Sequence, residues 1–352
     1  MRHAASLVWP LGVGAVCLVA PRSGLAQAPG AARTAASPAP PAAAPAIVEF
    51  AIPTPGAFPH DPAVDASGLV WYTDQANSRI GRLDPATGTF TDQPTPSPHA
   101  GPHGITVGPD GTIWYTGNAN GTIGRLDPRS GTIREYPLPA TMRDPHTPLL
   151  VAGYLWFTVQ GGDVIGRLDP ASGEARVIPV PTPRAHPYGL ALAPDGSLWV
   201  ALFGTNKLAH LTVPEGALTE VSLPEAAARP RRLVVDERGV VWYTDYARGY
   251  LGSYDPATRR FREWPTPTPS SALYGIALGP DGRIWFHEVT AGDVVAFDPR
   301  DGSMARVPIP TRGAIVRNMA VDRERGRIWL ALSGTGRLGR IDVPPRERAV
   351  RP

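Results

Sequence analysis

Short apolar segments separated by turn residues recur along the chain with a nearly constant period. A representative unit covers residues 103–139 and contains four short strand patterns, labelled A to D in chain order. Strand B carries a tryptophan in an apolar frame, and this tryptophan recurs at Trp71, Trp114, Trp156, Trp199, Trp242, Trp285 and Trp329. A spacing of 42 to 44 residues with four strands in each period predicts seven blades of a β-propeller.

Turn residues separate the strands within each repeat. Strand A is predicted to begin at His60, His103, His146, Tyr188, Arg231, Tyr274 and Arg317. A Pro-Asp-Gly turn often follows it, because Pro and Gly supply the dihedral angles that a hairpin needs. Strand C reads Ile-Gly-Arg-Leu-Asp-Pro, and strand D ends in proline, which suits the outer edge of a sheet.

The two ends of the repeat region predict how the ring closes. Residues 47–53 match strand D, whereas residues 338–343 match strand C. The N-terminal strand should therefore complete the last blade. We expect an all-β fold, a seven-bladed β-propeller over residues 47–344, followed by a tail over residues 345–352.

The N-terminal region predicts export. A basic start, an apolar run and small residues near Ala26 and Ala28 indicate a signal peptide over residues 1–28, cleaved after either alanine. Residues 29–46 form a tether rich in Ala and Pro. We therefore expect a periplasmic or secreted protein. Its only cysteine, Cys17, lies in the signal peptide, so the mature chain should hold no disulfide and no thiol nucleophile.

Charge and hydropathy exclude several classes of partner. The formal net charge is +3, and the arginines are scattered over the repeats rather than clustered in a basic stripe. We therefore expect no nucleic-acid binding. No second apolar run is long enough to span a membrane. We expect a monomer that binds a small molecule.

Candidate chemistry gathers at one mouth of the central channel. The first residue of strand A and the last of strand B should converge there. The latter are Asp74, Gly117, Gln160 or its neighbour Val159, Leu202, Asp245, Glu288, and Leu332 or its neighbour. Blades 1 to 3 would form an arc of His60, Asp74, His103, Asp144 and His146. Imidazoles beside carboxylates can bind a divalent cation or perform acid–base chemistry near neutral pH. The alternative is a polar mouth in which the histidines are hydrogen-bonded supports.

Further mouth residues suggest contacts with a ligand. We predict substrate binding by His60, Tyr188, Tyr274 and Glu288. Arg231 and Arg317 could meet an anionic ligand, although we expect each to pair with Asp245 or Asp74. The repeated tryptophans occupy a structural position in every repeat, which favours blade packing over a sugar-binding platform.

The sequence of the repeat resembles that of the streptogramin lyases, the virginiamycin B lyase family. The resemblance rests on Pro-His-Gly-Ile-Thr, the tryptophan strand, Ile-Gly-Arg-Leu and a final Pro-Leu-Pro or Pro-Thr-Pro, and it covers all seven repeats. It implies a magnesium-dependent enzyme that linearises a cyclic depsipeptide by elimination at its ester. The family site combines a His, a Glu-Pro-His on the next blade and a later Glu.

The family motif can be carried onto this sequence residue by residue. The first His matches His103, Glu-Pro-His matches residues 144–146, and the last Glu falls at Gln160, fourteen residues after His146. The resemblance then implies His146 as the base that takes the proton next to the ester carbonyl, with His103 assisting the leaving oxygen. It also implies Mg²⁺ near Asp144 and Gln160, with Asp74 from the first blade as a further ligand.

The family site lies at the end of its chain, whereas this match lies in the third blade. In the last two blades the corresponding residues are Tyr274, Ile315 and Arg317. We therefore predict a streptogramin-lyase-like enzyme acting on a cyclic ester or lactone. Two alternatives remain open: a secreted, non-catalytic binding propeller, and a metal-dependent lactonase.

Overall fold

We describe residues 45–345 from a computed structural model of the chain. The predicted signal peptide, nearly all of the tether and almost all of the tail lie outside these residues. The first half contains β1 (Ile47–Ala51), β2 (Pro59–Val64), β3 (Val70–Asp74), β4 (Arg79–Asp84), β5 (Thr89–Pro94), β6 (Pro102–Val107), β7 (Ile113–Gly117), β8 (Thr122–Leu126), β9 (Ile133–Pro137), a 3-10 turn (Ala140–Met142), β10 (Pro145–Val151), β11 (Tyr154–Val159), β12 (Val164–Leu168) and β13 (Ala175–Pro179).

The second half continues the same alternation of short strands and turns. It contains β14 (Pro187–Leu192), β15 (Leu198–Leu202), β16 (Lys207–Leu211), β17 (Leu218–Ser222), β18 (Pro230–Val235), β19 (Val241–Asp245), β20 (Tyr250–Asp255), β21 (Arg260–Pro265), β22 (Leu273–Leu278), β23 (Ile284–Glu288), β24 (Asp293–Phe297), β25 (Met304–Pro308), β26 (Ile315–Asp322), β27 (Arg327–Ser333) and β28 (Arg337–Asp342).

These strands form seven four-stranded antiparallel sheets. In six of them four consecutive strands pair in order, from β2-β3-β4-β5 to β22-β23-β24-β25. The first strands of neighbouring blades pack against one another around the ring, and β26 packs against β2. The predicted seven-bladed β-propeller is confirmed.

The seventh sheet confirms the predicted closure. Its order is β1-β28-β27-β26, so the N-terminal strand is the outer strand of the last blade. β1 pairs with β28 along its whole length, from Ile47 opposite Ile341 to Ala51 opposite Arg337. Glu49 on β1 also accepts a hydrogen bond of 3.0 Å from the backbone N–H of Thr311. The ring is therefore closed between two distant parts of the sequence.

Packing in the blade core explains the sequence motifs that recur in every repeat. All seven repeat tryptophans are buried, with at most 5% of their surface exposed, which confirms their packing role. In the second blade Trp114 lies opposite Arg125, whose guanidinium is 5.6 Å from the indole ring. A Cβ on Gly124 would lie 1.9 Å from the Tyr115 ring. Gly124 in strand C therefore leaves room for the Tyr115 ring, and Arg125 next to it covers the Trp114 ring.

Strand boundaries differ slightly from the prediction. Strand A begins one residue earlier than predicted in six blades, as at Pro59, and two residues earlier in the last, at Ile315. The early start places each predicted residue inside the strand rather than at its end.

Within residues 45–345, we find no helix whose length and hydropathy would allow it to span a membrane.

Candidate functional site

A β-bulge in every strand A places two residues of each blade opposite a single residue of strand B. In blade 1, for example, Pro59 pairs with Asp74 and Pro62 with Tyr72, so that residues 60 and 61 face the single residue Thr73. The first bulge residues are the seven predicted ones: His60, His103, His146, Tyr188, Arg231, Tyr274 and Arg317. The second are Asp61, Gly104, Thr147, Gly189, Arg232, Gly275 and Asn318. A bulge re-aims side chains while the rest of the ladder stays paired.

A buried threonine opposite the bulge links neighbouring blades. The Thr116 hydroxyl accepts a hydrogen bond of 2.9 Å from the Gly104 N–H and donates one of 2.7 Å to the His146 carbonyl. Thr73 makes the same bond to the His103 carbonyl at 2.7 Å. The backbones of the bulge histidines are therefore held from the preceding blade.

The three bulge histidines form one stack around the mouth. The His60 and His103 ring centroids lie 3.5 Å apart, and those of His103 and His146 lie 3.7 Å apart. The Tyr188 ring extends the stack, 3.8 Å from His146. Each of these rings is at most 5% exposed. The predicted histidine arc is therefore assembled, but its rings shield one another from water.

Burial keeps the imidazoles of this stack neutral. It lowers the pKa of His60, His103 and His146 well below the usual value for histidine, and nearby arginines lower all three further. Nδ1 of His60 lies 2.8 Å from the Asp61 carboxylate, and Nδ1 of His146 lies 3.0 Å from the Thr147 hydroxyl. These imidazoles are therefore neutral at physiological pH, and the same burial and arginines oppose the positive charge that a ring would carry after accepting a proton.

Asp61 forms a buried ion pair across the channel. Its carboxylate accepts hydrogen bonds from Arg232 at 2.9 Å and from Asn318 at 2.8 Å. These three residues, from blades 1, 5 and 7, line a cavity of about 460 Å³ within the channel. The charge of Asp61 is therefore already balanced by Arg232.

Tyrosines and arginines occupy the other side of the mouth. The Tyr188 and Tyr274 hydroxyls lie 2.6 Å apart. Arg231 donates to the Tyr188 hydroxyl at 3.2 Å, and Arg317 donates to the Tyr274 hydroxyl at 3.4 Å. Phenol and guanidinium donors therefore share this half of the mouth.

The ion pairs that we expected for Arg231 and Arg317 do not form. Asp245 is paired with Arg248 at 2.6 Å, because the side chain of Arg248 reaches it from the following turn. Asp74 instead binds the Phe58 N–H at 2.9 Å and the Asn77 amide at 2.8 Å. Within residues 45–345, neither mouth arginine has a carboxylate partner.

The carboxylates at the ends of strand B accept hydrogen bonds from the loops that lead into strand A. Asp74 accepts from Phe58, and Asp245 accepts from the Arg229 N–H at 2.9 Å. Glu288 is fully buried and accepts from the Thr268 N–H at 2.8 Å. Each carboxylate therefore satisfies a backbone donor in the segment that enters strand A, which is the physical reason that it does not face the mouth freely.

Asp144 and Gln160 lie together beside the third blade. The Gln160 N–H donates to the Asp144 carbonyl at 3.3 Å, and Asn118 donates to the Asp144 carboxylate. Asp144 adopts a left-handed backbone conformation, with φ of 67°. Burial raises the pKa of its carboxyl group. The structure therefore brings the backbones of these two predicted ligands together, whereas the Asp74 carboxylate accepts hydrogen bonds from Phe58 and Asn77 of its own blade.

The group of potential metal ligands at the mouth is not an oxygen-rich set for Mg²⁺. That ion prefers octahedral coordination by oxygen atoms, usually from carboxylates and water. Among the described residues, the one group of three potential ligands is His60, Asp61 and His103, with ligand atoms within 4.8 Å of one another. Two of its three donors are nitrogen, and its carboxylate is already bound to Arg232. The donor set therefore does not fit magnesium.

Sequence reasoning missed the second bulge residues and the linking threonines. The useful signal for the threonines was their constant position two residues after the tryptophan, at Thr73, Thr116, Thr158 and Thr244. No sequence signal joined Asp61, Arg232 and Asn318, because they come from blades that are far apart in the chain.

Comparisons with known proteins agree with the geometry. No curated protein matches the chain. The chain resembles the solved virginiamycin B lyase from Staphylococcus aureus at 25% identity, with a TM-score of 0.78, covering 86% of this chain and all of that one. A streptogramin B lyase structure matches at 26% identity and a TM-score of 0.78, covering 85% and 97%.

A third solved structure resembles the fold. It is a catalytically inactive virginiamycin B lyase from Staphylococcus aureus with quinupristin, 24% identical, with a TM-score of 0.79, covering 86% of this chain and all of that one. The sequence profile of the Virginiamycin B lyase family matches residues 42–260 and 178–346. These two overlapping matches span the entire repeat region. The chain therefore belongs to the virginiamycin B lyase family.

Proposed function

We propose that this protein opens the ester bond of a cyclic depsipeptide or a related lactone by elimination. The observation that carries the proposal is the neutral pair of imidazoles, His103 and His146, beside the guanidinium-lined half of the mouth. Family membership supports the reaction class. A fold of this kind hosts unrelated functions, so the proposal rests on the site.

The proposed step transfers one proton and breaks one bond. His146, whose neutral ring can accept a proton, takes it from the carbon next to a carbonyl group and β to the ester oxygen. A carbon–carbon double bond forms as the carbon–oxygen bond breaks and a carboxylate leaves. His103, whose ring lies beside that of His146, would donate a hydrogen bond to the leaving oxygen. No water is added, so substrate and product have the same mass.

No step in this scheme depends on a metal ion. The magnesium requirement implied by the family resemblance stays a prediction, and the group of His60, Asp61 and His103 does not supply the donors that magnesium prefers. We therefore expect activity to survive treatment with a chelator. Loss of activity in EDTA, restored by Mg²⁺, would instead support the resemblance.

The test is incubation of the mature protein with quinupristin, followed by liquid chromatography and mass spectrometry. We expect a product of unchanged mass at a new retention time. His146→Ala should abolish conversion, whereas His99→Ala, at an exposed loop position, should retain it. Full conversion by His146→Ala would overturn the proposed role. A product heavier by one water would indicate a lactonase.

Burial of the imidazoles favours a second candidate function. His60, His103 and His146 expose 5% of their surface or less, and the strand-end carboxylates are occupied by loops. These features suit a propeller whose mouth binds a ligand without converting it. Binding of quinupristin without any product would favour this candidate over the lyase.

We also propose that the protein is exported. The support is the predicted signal peptide over residues 1–28, which lies outside the described residues. Intact-mass measurement of the protein from the culture or periplasm should give an N-terminus after Ala26 or Ala28. A full-length mass in the cytoplasm would contradict export.

A further inference from the structure

We propose that the channel mouth binds an anionic ligand, a carboxylate attached to a flat apolar group, between Arg231 and Arg317. This inference concerns binding alone and stands without the proposed lyase activity. It rests on three features: uncompensated positive charge, aromatic walls and unused hydrogen-bond donors.

The bulge residues carry more positive than negative charge. Three of them are arginines, Arg231, Arg232 and Arg317, and Asp61 is their one carboxylate. Asp61 is committed to Arg232 at 2.9 Å. Arg231 and Arg317 have no ion pair among the described residues, and the nearby Asp245 is held by Arg248. A partly buried cation without a partner is unfavourable, and a bound anion would remove that penalty.

Aromatic rings position Arg231 without neutralising it. Its guanidinium carbon lies 3.6 Å from the Tyr274 ring centroid, 4.4 Å from Tyr246 and 4.9 Å from Tyr188. Phe203 provides a further ring at 5.0 Å. Cation–π contacts stabilise the charge and hold the plane of the guanidinium, but they use none of its N–H groups, of which one donates to Tyr188. Arginine in a fixed plane is well suited to bind a carboxylate through two hydrogen bonds.

Arg317 approaches the same point from the last blade. Its guanidinium lies 5.7 Å from the Tyr274 ring centroid and 5.0 Å from that of Phe58. The Nε atoms of Arg231 and Arg317 are buried and have no hydrogen-bond partner among the described residues. Both guanidinium groups therefore contact the Tyr274 ring, and the Nη atom of each that does not donate to a tyrosine has no hydrogen-bond partner among the described residues. The surrounding rings favour a ligand that carries a flat apolar group next to its charge.

The same charges disfavour a cation at this mouth. His60, Asp61 and His103 could supply ligand atoms, yet Arg232 already occupies Asp61, and Arg317 adds positive charge nearby. The positive charge of these arginines attracts an anion and repels a metal ion. An ester elimination would release a carboxylate at this mouth, so the site also suits the product of the proposed reaction.

The experiment measures binding of benzoate and of its neutral counterpart benzamide to the mature protein by isothermal titration calorimetry. We expect benzoate to bind more tightly than benzamide, and its affinity to fall at high salt. Arg231→Gln and Arg317→Gln should each weaken benzoate binding about tenfold or more, as expected for a charge-assisted hydrogen bond. Arg176→Gln, on the outer strand β13, is the matched control and should bind as the parent does.

Two further readouts separate binding from structural effects. The melting temperature of each variant shows whether it is folded at the temperature of the titration, and Arg317→Lys, which keeps the positive charge, should recover part of the affinity. Equal affinity for benzoate and benzamide, or unchanged benzoate affinity in both glutamine variants, would overturn the inference. The quinupristin assay reports separately on the lyase proposal, since an inactive protein can still bind benzoate.

Discussion

Thr116→Val tests whether the threonine opposite the bulge joins neighbouring blades. The Thr116 hydroxyl is fully buried between blades 2 and 3. It accepts from the Gly104 N–H at 2.9 Å and donates to the His146 carbonyl at 2.7 Å. Valine has nearly the same shape, so the substitution removes the two hydrogen bonds without leaving a large cavity.

The expected loss of stability follows from these two bonds. A buried hydrogen bond contributes about 1 kcal/mol, and leaving a buried partner unsatisfied costs about 1–3 kcal/mol. The N–H of Gly104 and the carbonyl of His146 both lose a partner, although some relaxation is available to each. We therefore expect the free energy of unfolding to fall by about 2–4 kcal/mol, a large part of the roughly 5–15 kcal/mol that is typical of folded proteins.

Urea unfolding followed by tryptophan fluorescence measures this loss. Thr219→Val, at an exposed position on the outer strand β17, is the control and should change stability by less than about 0.5 kcal/mol. Hydrogen exchange adds a local readout, because the Gly104 amide should exchange faster in the Thr116→Val protein alone. If Thr116→Val is as stable as the control and Gly104 stays protected, the link between blades does not stabilise the ring.

Two further predictions concern acid and ring closure. Burial lowers the pKa of His287 to about 3, so between that value and about 6.5 the unfolded chain binds more protons and stability falls as the pH falls. His287→Thr, which places the common residue opposite the bulge, should reduce the drop in melting temperature between pH 7 and pH 5; an unchanged drop would contradict this. Starting the chain at residue 54 removes β1 and should lower the melting temperature strongly relative to a chain that starts at residue 45, because β28 loses its outer partner and becomes the edge of the sheet. Equal melting temperatures would show that β1 does not close the ring.

The architecture was predictable because its signals are local and repeated. A tryptophan every 42 to 44 residues fixed the number of blades, and the strand D pattern of residues 47–53 predicted the closure. The first bulge residue was also recognisable, since His103 and its counterparts recur 10 to 12 residues before the tryptophan.

The contacts of the site were less predictable because they join distant parts of the chain. Asp61 meets Arg232 across 171 residues of sequence, and no repeat pattern relates them. Asp74, Asp245 and Glu288 were placed at the mouth from their position, but each is occupied by a backbone N–H of the incoming loop. The sequence indicates which groups are polar, whereas the folded loops decide which of them remain available.

The bulges also bear on how sites are compared across this family. Because the first bulge residue lies outside the paired ladder in all seven blades, its side chain can be exchanged with little change to the scaffold. Adjacent blades repeat the same geometry, so a pair of residues on neighbouring blades has the same mutual arrangement wherever it starts in the ring. A functional pair can therefore move by whole blades through substitution alone. Alignment by chain position would overlook such a pair, whereas superposition of blades in every rotation would find it.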